Sequence, residues 1–561
     1  MVDKVLKIFN KEYSGLHEAA YLLGAFAIFS QILALFRDRL LAHFFGASQT
    51  LDIYYASFRI PDFIFVSIAS LVAATVLIPF LIDRINQNGE EKEKAHIFLN
   101  SIFTTFAIII TSVSVLVFFL IPWLAQFIAP GFSGAAKDNF ITLSRIMLIS
   151  PILFGVSNLL GSIVQTFRRF FLFAMGPVLY NIGIIVGVIF FYPIWGIYGL
   201  AYGVLLGALM HLLIQLPAVI HSGFLPKFSL NIDFSEVKKV AILSLPRTLT
   251  LSSSHLVLIF IVAMASLINE GSITIFNLSF NLQSVPLSII GVSYSVAAFP
   301  NLSRLFSAGN IDKFIEQIIT ATRHIIFWSF PIVSLFIVLR AQIVRTVLGS
   351  GEFSWTDTRL AAATLAVFSI SIIAQSLILI FIRGYYAANN TKKPLIINVL
   401  SSVLIVVLAY SFIKLFNFYD PFKYFMESLL RIEDVEGSTI VMLALAYSIG
   451  SIVNVIWLWR SFQDDFKKIT SSVKKVAFHS FSASVIMGFV AYQFLGVFDD
   501  LFDLNTFWGI FLQGAFSGLI GILFGIIILK LLKNKEIKVI EETLHKKFWK
   551  AKVLAPDKEG L

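Results

Sequence analysis

Arg37, Asp38, Arg39, Asp52 and Arg59 fall inside residues 29–81, a stretch whose other positions are almost all apolar. A charge at bilayer depth costs at least about 2.5–3.5 kcal/mol, so such residues face a wet cavity or a partner. Guanidinium groups stay charged in a low dielectric and grip phosphate oxygens bidentately, which makes an arginine-lined cavity a receptor for an anionic group. Asp38 and Asp52 would hold neighbouring arginines in place and partly neutralise them while the cavity is empty. The competing reading has Arg37 to Asp52 solvated at the headgroups between two apolar helices. A helix over 19–46 rises roughly 40 Å against a hydrocarbon core of about 30 Å, which places Arg37 in the outer third of the membrane.

Further basic residues sit in apolar segments: Arg145, Arg247 beside Pro246, and Arg323. All are candidates for the same cavity, with a purely structural reading equally open for Arg145 and Arg323. Enzyme signatures are missing: the sequence has no HExxH, GxSxG or P-loop, and its histidines are scattered singly. With no cysteine in the chain, disulfides and thiolate chemistry are excluded.

The elements that must position these residues are membrane helices. Of 561 residues 58% are hydrophobic and 14% charged, far from soluble composition. Spans are expected near 19–46, 52–82, 97–124, 140–165, 170–193, 195–220, 240–268, 273–299, 316–339, 358–383, 394–415, 438–459, 476–498 and 507–532, about fourteen in an all-α polytopic membrane protein. An even count puts both termini on one side, and the loops rich in Lys and Arg fall with them. Both ends are therefore expected in the cytoplasm, and the net charge of +10 reads as topology rather than as nucleic-acid binding. The N-terminus lacks a cleavable signal and suits a short helix on the inner surface. Residues 417–437 and 530–552 have the spacing of interfacial amphipathic helices.

An internal repeat sets the architecture. Residues 53–81 align with 275–302, sharing Ser57-Phe58 with Ser279-Phe280 and Pro79 with Pro300. Pro177 and Asn181 match Pro394 and Asn398, and the loop 129–133 echoes 349–354. The period is about 220 residues and six helices, so the copies share one orientation, and substrate sites in such transporters lie where the copies meet. The expected division is an N-terminal surface segment at 1–18, an N-lobe at 19–225, a C-lobe at 226–460, two further helices within 461–533, and a basic tail at 534–561.

Phe36-Arg37-Asp38, then Phe45-Gly46-Ala47-Ser48 and Asp52, then Phe58-Arg59-Ile60-Pro61-Asp62 resemble the opening of the MurJ/MviN lipid II flippases, within the multidrug/oligosaccharidyl-lipid/polysaccharide exporter superfamily. The resemblance continues through 129–132, 144–147, 177–181, 299–303 and 351–353, nearly the whole chain. It implies two MATE-like six-helix lobes around a cationic cavity, with the last two helices forming a groove for a polyprenyl tail. It also implies that undecaprenyl-linked peptidoglycan precursor is moved to the outer leaflet of the bacterial inner membrane by alternating access, without catalysis or a bound cofactor. Arg37, Asp38, Asp52 and Arg59 match the family's charged positions. Several other charges of the family pattern are replaced here, by Gln31, Phe65-Val66, residues 70–73 and Phe280-Asn281. Gln31, Ser70 and Asn281 are then expected to line the cavity as neutral hydrogen-bonding groups. A coupling cation or the membrane potential would drive the cycle, and peptidoglycan-synthesis enzymes are the expected protein partners. The rival readings are a flippase for another polyprenyl-linked oligosaccharide, a cation-coupled exporter of the same fold, and a non-transporting scaffold for envelope enzymes.

Overall fold

In a hydrocarbon environment a single chain segment can satisfy its own N–H and C=O groups only as a helix. The computed structural model describes residues 16–69, 77–78, 81, 90–466 and 469–538, without the side chains of 16–21, 90–92, 243, 246 and 247, and its regular elements are all helical. The first are α1 (Leu16–Phe45), α2 (Gln49–Ser57), α3 (Arg59–Ala69), α4 (Glu90–Ile128), α5 (Gly134–Met147), α6 (Ile149–Thr166), α7 (Phe170–Val186) and α8 (Ile197–Leu213). There follow α9 (Phe234–Ser266), α10 (Ser272–Leu287), α11 (Ser293–Ser307), α12 (Ile311–Val338), α13 (Arg340–Val347), α14 (Trp355–Ala387) and α15 (Lys392–Phe418). The chain ends in α16 (Asp420–Leu430), α17 (Ile440–Asp465), α18 (Thr470–Asp499) and α19 (Phe507–Leu531).

Among the described residues twelve helices are long and apolar enough to cross a membrane. They correspond to the expected spans from 97–124 onward. Of the other two, α1 is 30 residues long and rises about 45 Å, with an uncharged run over 19–36 ahead of Arg37, Asp38 and Arg39, and the side chains of its first residues lie outside the described set. The span expected at 52–82 is interrupted at Phe58 between α2 and α3, and most of its second half lies outside the described residues, as do Ser70 and Pro79. The interfacial helix expected within 417–437 is α16, whose Tyr424, Phe425 and Leu429 are exposed. Most of the helix expected at 530–552, and the N-terminal segment through residue 15, lie outside the described residues.

The chain forms two compact units, one of residues up to 285 with 347–368 and 390–454, the other of 286–346, 369–389 and 455–561. In the first, α7, with the π-helical turn Gly187–Phe191 that continues it, meets α8 along glycines, Gly183 against Gly207 and Gly187 against Gly203, so close that a Cβ at any of them would strike backbone. Such small-residue seams replace the hydrophobic driving force that lipid cannot supply. This seam fixes the face of α7 that presents Tyr180 and Asn181. In the second unit α12 packs on α18, where Ser334 Oγ donates to the Ser484 carbonyl at 2.6 Å, and α18 packs on α19 where Met487 fills the notch left by Gly521 and Gly525. Large apolar side chains on the outside, such as Phe119 at 70% exposed, are what a lipid-facing surface requires.

Candidate functional site

Elements α1, α2, α3, α7 and α10 enclose a cavity of about 230 Å³ whose polar lining is Arg37, Arg59, Asp62, Asn277 and Asn281 with Tyr54, Tyr55 and Tyr180. Arg37 is held on two sides. Its Nε and Nη2 donate to Asp38 Oδ1 at 2.9 and 2.7 Å, and its Nη1 donates to Asn181 Oδ1 at 3.0 Å. Asn181 is itself fixed, donating to the Pro177 carbonyl at 3.0 Å and to Ser30 Oγ at 3.3 Å. The second Asp38 oxygen accepts from Asn281 Nδ2 at 3.0 Å, so this carboxylate, 3% exposed, is engaged through both oxygens. Asp38 therefore aims Arg37 and offsets part of its charge without filling the cavity.

Arg59 is less well satisfied. Its Nη2 donates to Asn277 Oδ1, while its Nε is buried with no hydrogen-bond partner. Arg59 makes no ion pair among the described residues. A buried, unmatched donor on a cation is costly unless an acceptor arrives. The cavity thus holds one guanidinium that is aimed and another that still lacks an acceptor, a geometry suited to a ligand carrying several anionic oxygens.

Asp52 does something other than orient an arginine, which corrects the expectation from sequence. Buried at 2% exposure, it accepts from Gly271 N at 2.8 Å, Thr274 N at 2.7 Å and Thr274 Oγ1 at 2.7 Å. It caps the start of α10 from another helix, satisfying amides that have no partner within α10 and facing the positive end of its dipole. Residues 52 and 274 are equivalent in the repeat, so the two copies meet here at matching positions. The loops close around this point reciprocally. Gly131 N donates to Ser266 Oγ at 3.1 Å at the end of α9, and Glu352 N donates to the His43 carbonyl at 2.9 Å near the end of α1. Gly271 and Gly351 have φ of +84° and +59°, and a Cβ on either would strike the Ala47 or His43 carbonyl.

The remaining candidates are dispersed. Arg145 lies over the Phe118 ring, 4.6 Å from its centroid, and donates Nε to the Phe118 carbonyl at 3.1 Å, so it points away from the cavity. Its cation is served by a ring face and a carbonyl of α4 instead. Gln31 is half-buried and does not line the cavity. Arg323 pairs with Glu536 in the second unit. Arg39 donates to the Val347 carbonyl at 3.3 Å at the end of α13, where cations are favoured. Arg247 lies on α9 with its side chain outside the description.

The sequence profile described as Lipid II flippase MurJ matches residues 41–512. The chain belongs to that family. Among its relatives, the lipid II flippase MurJ of Burkholderia cenocepacia is 26% identical over 399 residues, covering 70% of this chain and 77% of the relative. A probable lipid II flippase MurJ from Thermotoga maritima is 28% identical over 527 residues, covering 93% and 97%. In three dimensions the chain resembles a lipid II flippase MurJ in an inward closed conformation, with a TM-score of 0.70 and 24% identity over 93% of this chain and all of that one. A MATE multidrug transporter in an inward-facing conformation gives 0.61 at 16% identity, covering 79% of this chain and 96% of that one. The fold is therefore the MATE-like fold of polytopic transporters.

For a member of the MurJ family, the residues that sequence reasoning passed over are instructive. Asn181, Asn277 and Asp62 belong to the site, and each carried a signal. Asn181 sits in the repeated Pro-x-x-x-Asn, Asn277 lies one helical turn before Asn281, and Asp62 lies one turn after Arg59 on α3.

Proposed function

We propose that this chain carries lipid II, the polyprenyl-linked peptidoglycan precursor, from the inner to the outer leaflet of the bacterial cytoplasmic membrane by alternating access. Arg37 and Arg59 hold the pyrophosphate. The single observation that carries this reading is the buried Arg59 Nε without an acceptor, in a cavity that also holds the pre-aimed Arg37. A flippase makes and breaks no covalent bond, so binding, orientation and exclusion of the polar headgroup from lipid account for the whole task.

With both termini cytoplasmic, the end closed by Asp52, Gly271 and Gly351 is the outer one. Residues 19–225 and 226–460 act as the two lobes, and the tail lies along helices within 461–533. The drive is a cation gradient or the membrane potential acting on these buried charges, since only a force that favours one conformation over the other turns the cycle. Enzymes of peptidoglycan synthesis supply and remove the substrate at the two faces.

The test is replacement of the resident lipid II flippase in depleted cells. The wild-type chain restores growth and outer-leaflet lipid II, whereas Arg37→Ala and Arg59→Ala, present at normal membrane levels, do not. Rescue by both arginine variants would refute the assignment and favour a scaffold role. Gln31, Phe65 and Asn281, neutral where the family pattern has charges, favour a second reading in which the cargo is another polyprenyl-linked oligosaccharide. Its signature is arginine-dependent transport of that lipid in vesicles without transport of lipid II.

A further inference from the structure

Asp62 and Tyr180 line the arginine cavity on one side and a second cavity, of about 300 Å³, on the other. The walls of the second are different in kind. Phe65, Phe154 and Tyr180 form a nearly continuous aromatic surface, Phe154 meeting Tyr180 edge-on at 4.9 Å and Phe65 at 5.8 Å. His211 closes it, with Nδ1 2.7 Å from Ser157 Oγ, which also accepts from Gln215 Nε2 at 2.8 Å. The Asp62 carboxylate accepts no hydrogen bond and makes no ion pair among the described residues. It is the one carboxylate among the residues that line this second cavity, which it shares with Phe65, Phe154 and Tyr180.

This chemistry selects its ligand. Hard inorganic cations want about six oxygen ligands. Beside Asp62 the second cavity offers the Ser150 hydroxyl, already donating to the Met147 carbonyl at 2.8 Å, and the Tyr180 phenol. No group of three or more His, Cys, Asp or Glu that could hold a metal occurs among the described residues. An alkylammonium is different: its carbon arm suits apolar walls, its charge is attracted to aromatic faces, and one carboxylate suffices as counter-ion.

We propose that this chamber is a subsite for a primary alkylammonium group, with Asp62 as counter-ion and Phe65, Phe154 and Tyr180 as walls. The inference rests on the reading that a pyrophosphate occupies the neighbouring arginine cavity. The two chambers together then match a zwitterionic headgroup, anionic where it joins the tail and cationic further out. The amine of a diamino acid in a peptidoglycan stem peptide has that chemistry, and so does a separate small amine.

The experiment measures binding to the full chain in nanodiscs. The probes are undecaprenyl pyrophosphate, lipid II bearing lysine in its stem, the same lipid with that amine acetylated, and n-butylammonium alone. The free-amine lipid is expected to bind about tenfold more tightly than the acetylated one. Asp62→Asn collapses this ratio toward one, and Phe154→Leu reduces it. A melting curve of Asp62→Asn in the same nanodiscs that matches wild type shows that the variant folds. Butylammonium binding that depends on Asp62, with equal binding of the two lipids, supports the ammonium site and assigns it to a separate amine. If the wild-type chain binds undecaprenyl pyrophosphate but neither separates the lipids nor takes up butylammonium through Asp62, the subsite is overturned and the pyrophosphate reading stands. If undecaprenyl pyrophosphate itself fails to bind, the earlier reading falls, and butylammonium alone decides the subsite.

Discussion

Asp52 and Arg59 lie seven positions apart in one stretch of chain and face opposite situations. Around Asp52 every demand is met from within the protein: three donors converge on one carboxylate, and glycines let backbone meet backbone. Around Arg59 demands are left open, with a guanidinium donor lacking an acceptor and a nearby carboxylate lacking a donor. A closed contact that must reopen is best built from many modest hydrogen bonds, each of which water can replace on opening. A binding site must do the reverse, because groups already satisfied have nothing to gain from a ligand. Under the proposed function, charges satisfied from within the protein hold a conformation and those left unsatisfied recognise cargo.

The largest effects should come from removing recognition. Arg59→Ala is expected to cut lipid II transport at least tenfold while leaving thermal stability nearly unchanged or improved, since an unsatisfied buried cation disappears. Vesicle transport and a melting curve on the same preparation check both halves. Arg37→Lys should be nearly as severe, because the fork shared between Asp38 and Asn181 cannot be reproduced by an ammonium. A lysine variant with full activity would show that charge alone suffices. Next come the closure glycines. Gly271→Val places a β-branched residue at φ +84° against the Ala47 carbonyl, so the closed end cannot form. The chain has no native cysteine, so the pair Gln49→Cys and Glu270→Cys reports this end cleanly through a short thiol cross-linker. Cross-linking should be strong in the parent and nearly lost with Gly271→Val.

How much of this was visible in sequence follows from the same energetics. Arg37, Asp38 and Arg59 stand out because a charge at membrane depth is costly enough to require a reason, and the repeat was legible because proline, glycine and aromatic landmarks recur in order. What Asp52 binds was not legible. A carboxylate in an apolar run announces that it has a partner, and its partners here are backbone amides more than 200 residues away, which carry no sequence signature. Neutral amides such as Asn181 and Asn277 escape notice because they are cheap to place anywhere.

A smaller effect is expected at Asp52 itself. In Asp52→Asn one carboxylate oxygen becomes an NH₂ facing an amide N–H of α10, so a good acceptor becomes a repulsive contact. The loss is about 1–3 kcal/mol, shared between the closed conformation and overall stability. Closed-end cross-linking should fall by roughly tenfold at most, with arginine-dependent ligand binding retained.

Arg145→Ala marks the lower bound of the comparison. Arg145 belongs to neither region: its guanidinium rests on Phe118 of α4 and bonds that residue's carbonyl. An exposed cation–π contact contributes about 0.5–1 kcal/mol, and no group in the cavity or the closed end depends on it. Transport and cross-linking should both stay within about twofold of the parent, with a small fall in melting temperature. A tenfold loss of transport at constant stability would mean that Arg145 swings off Phe118 to meet the substrate in another conformation. The division between holding and recognising charges would then describe one state of the cycle rather than the protein as a whole.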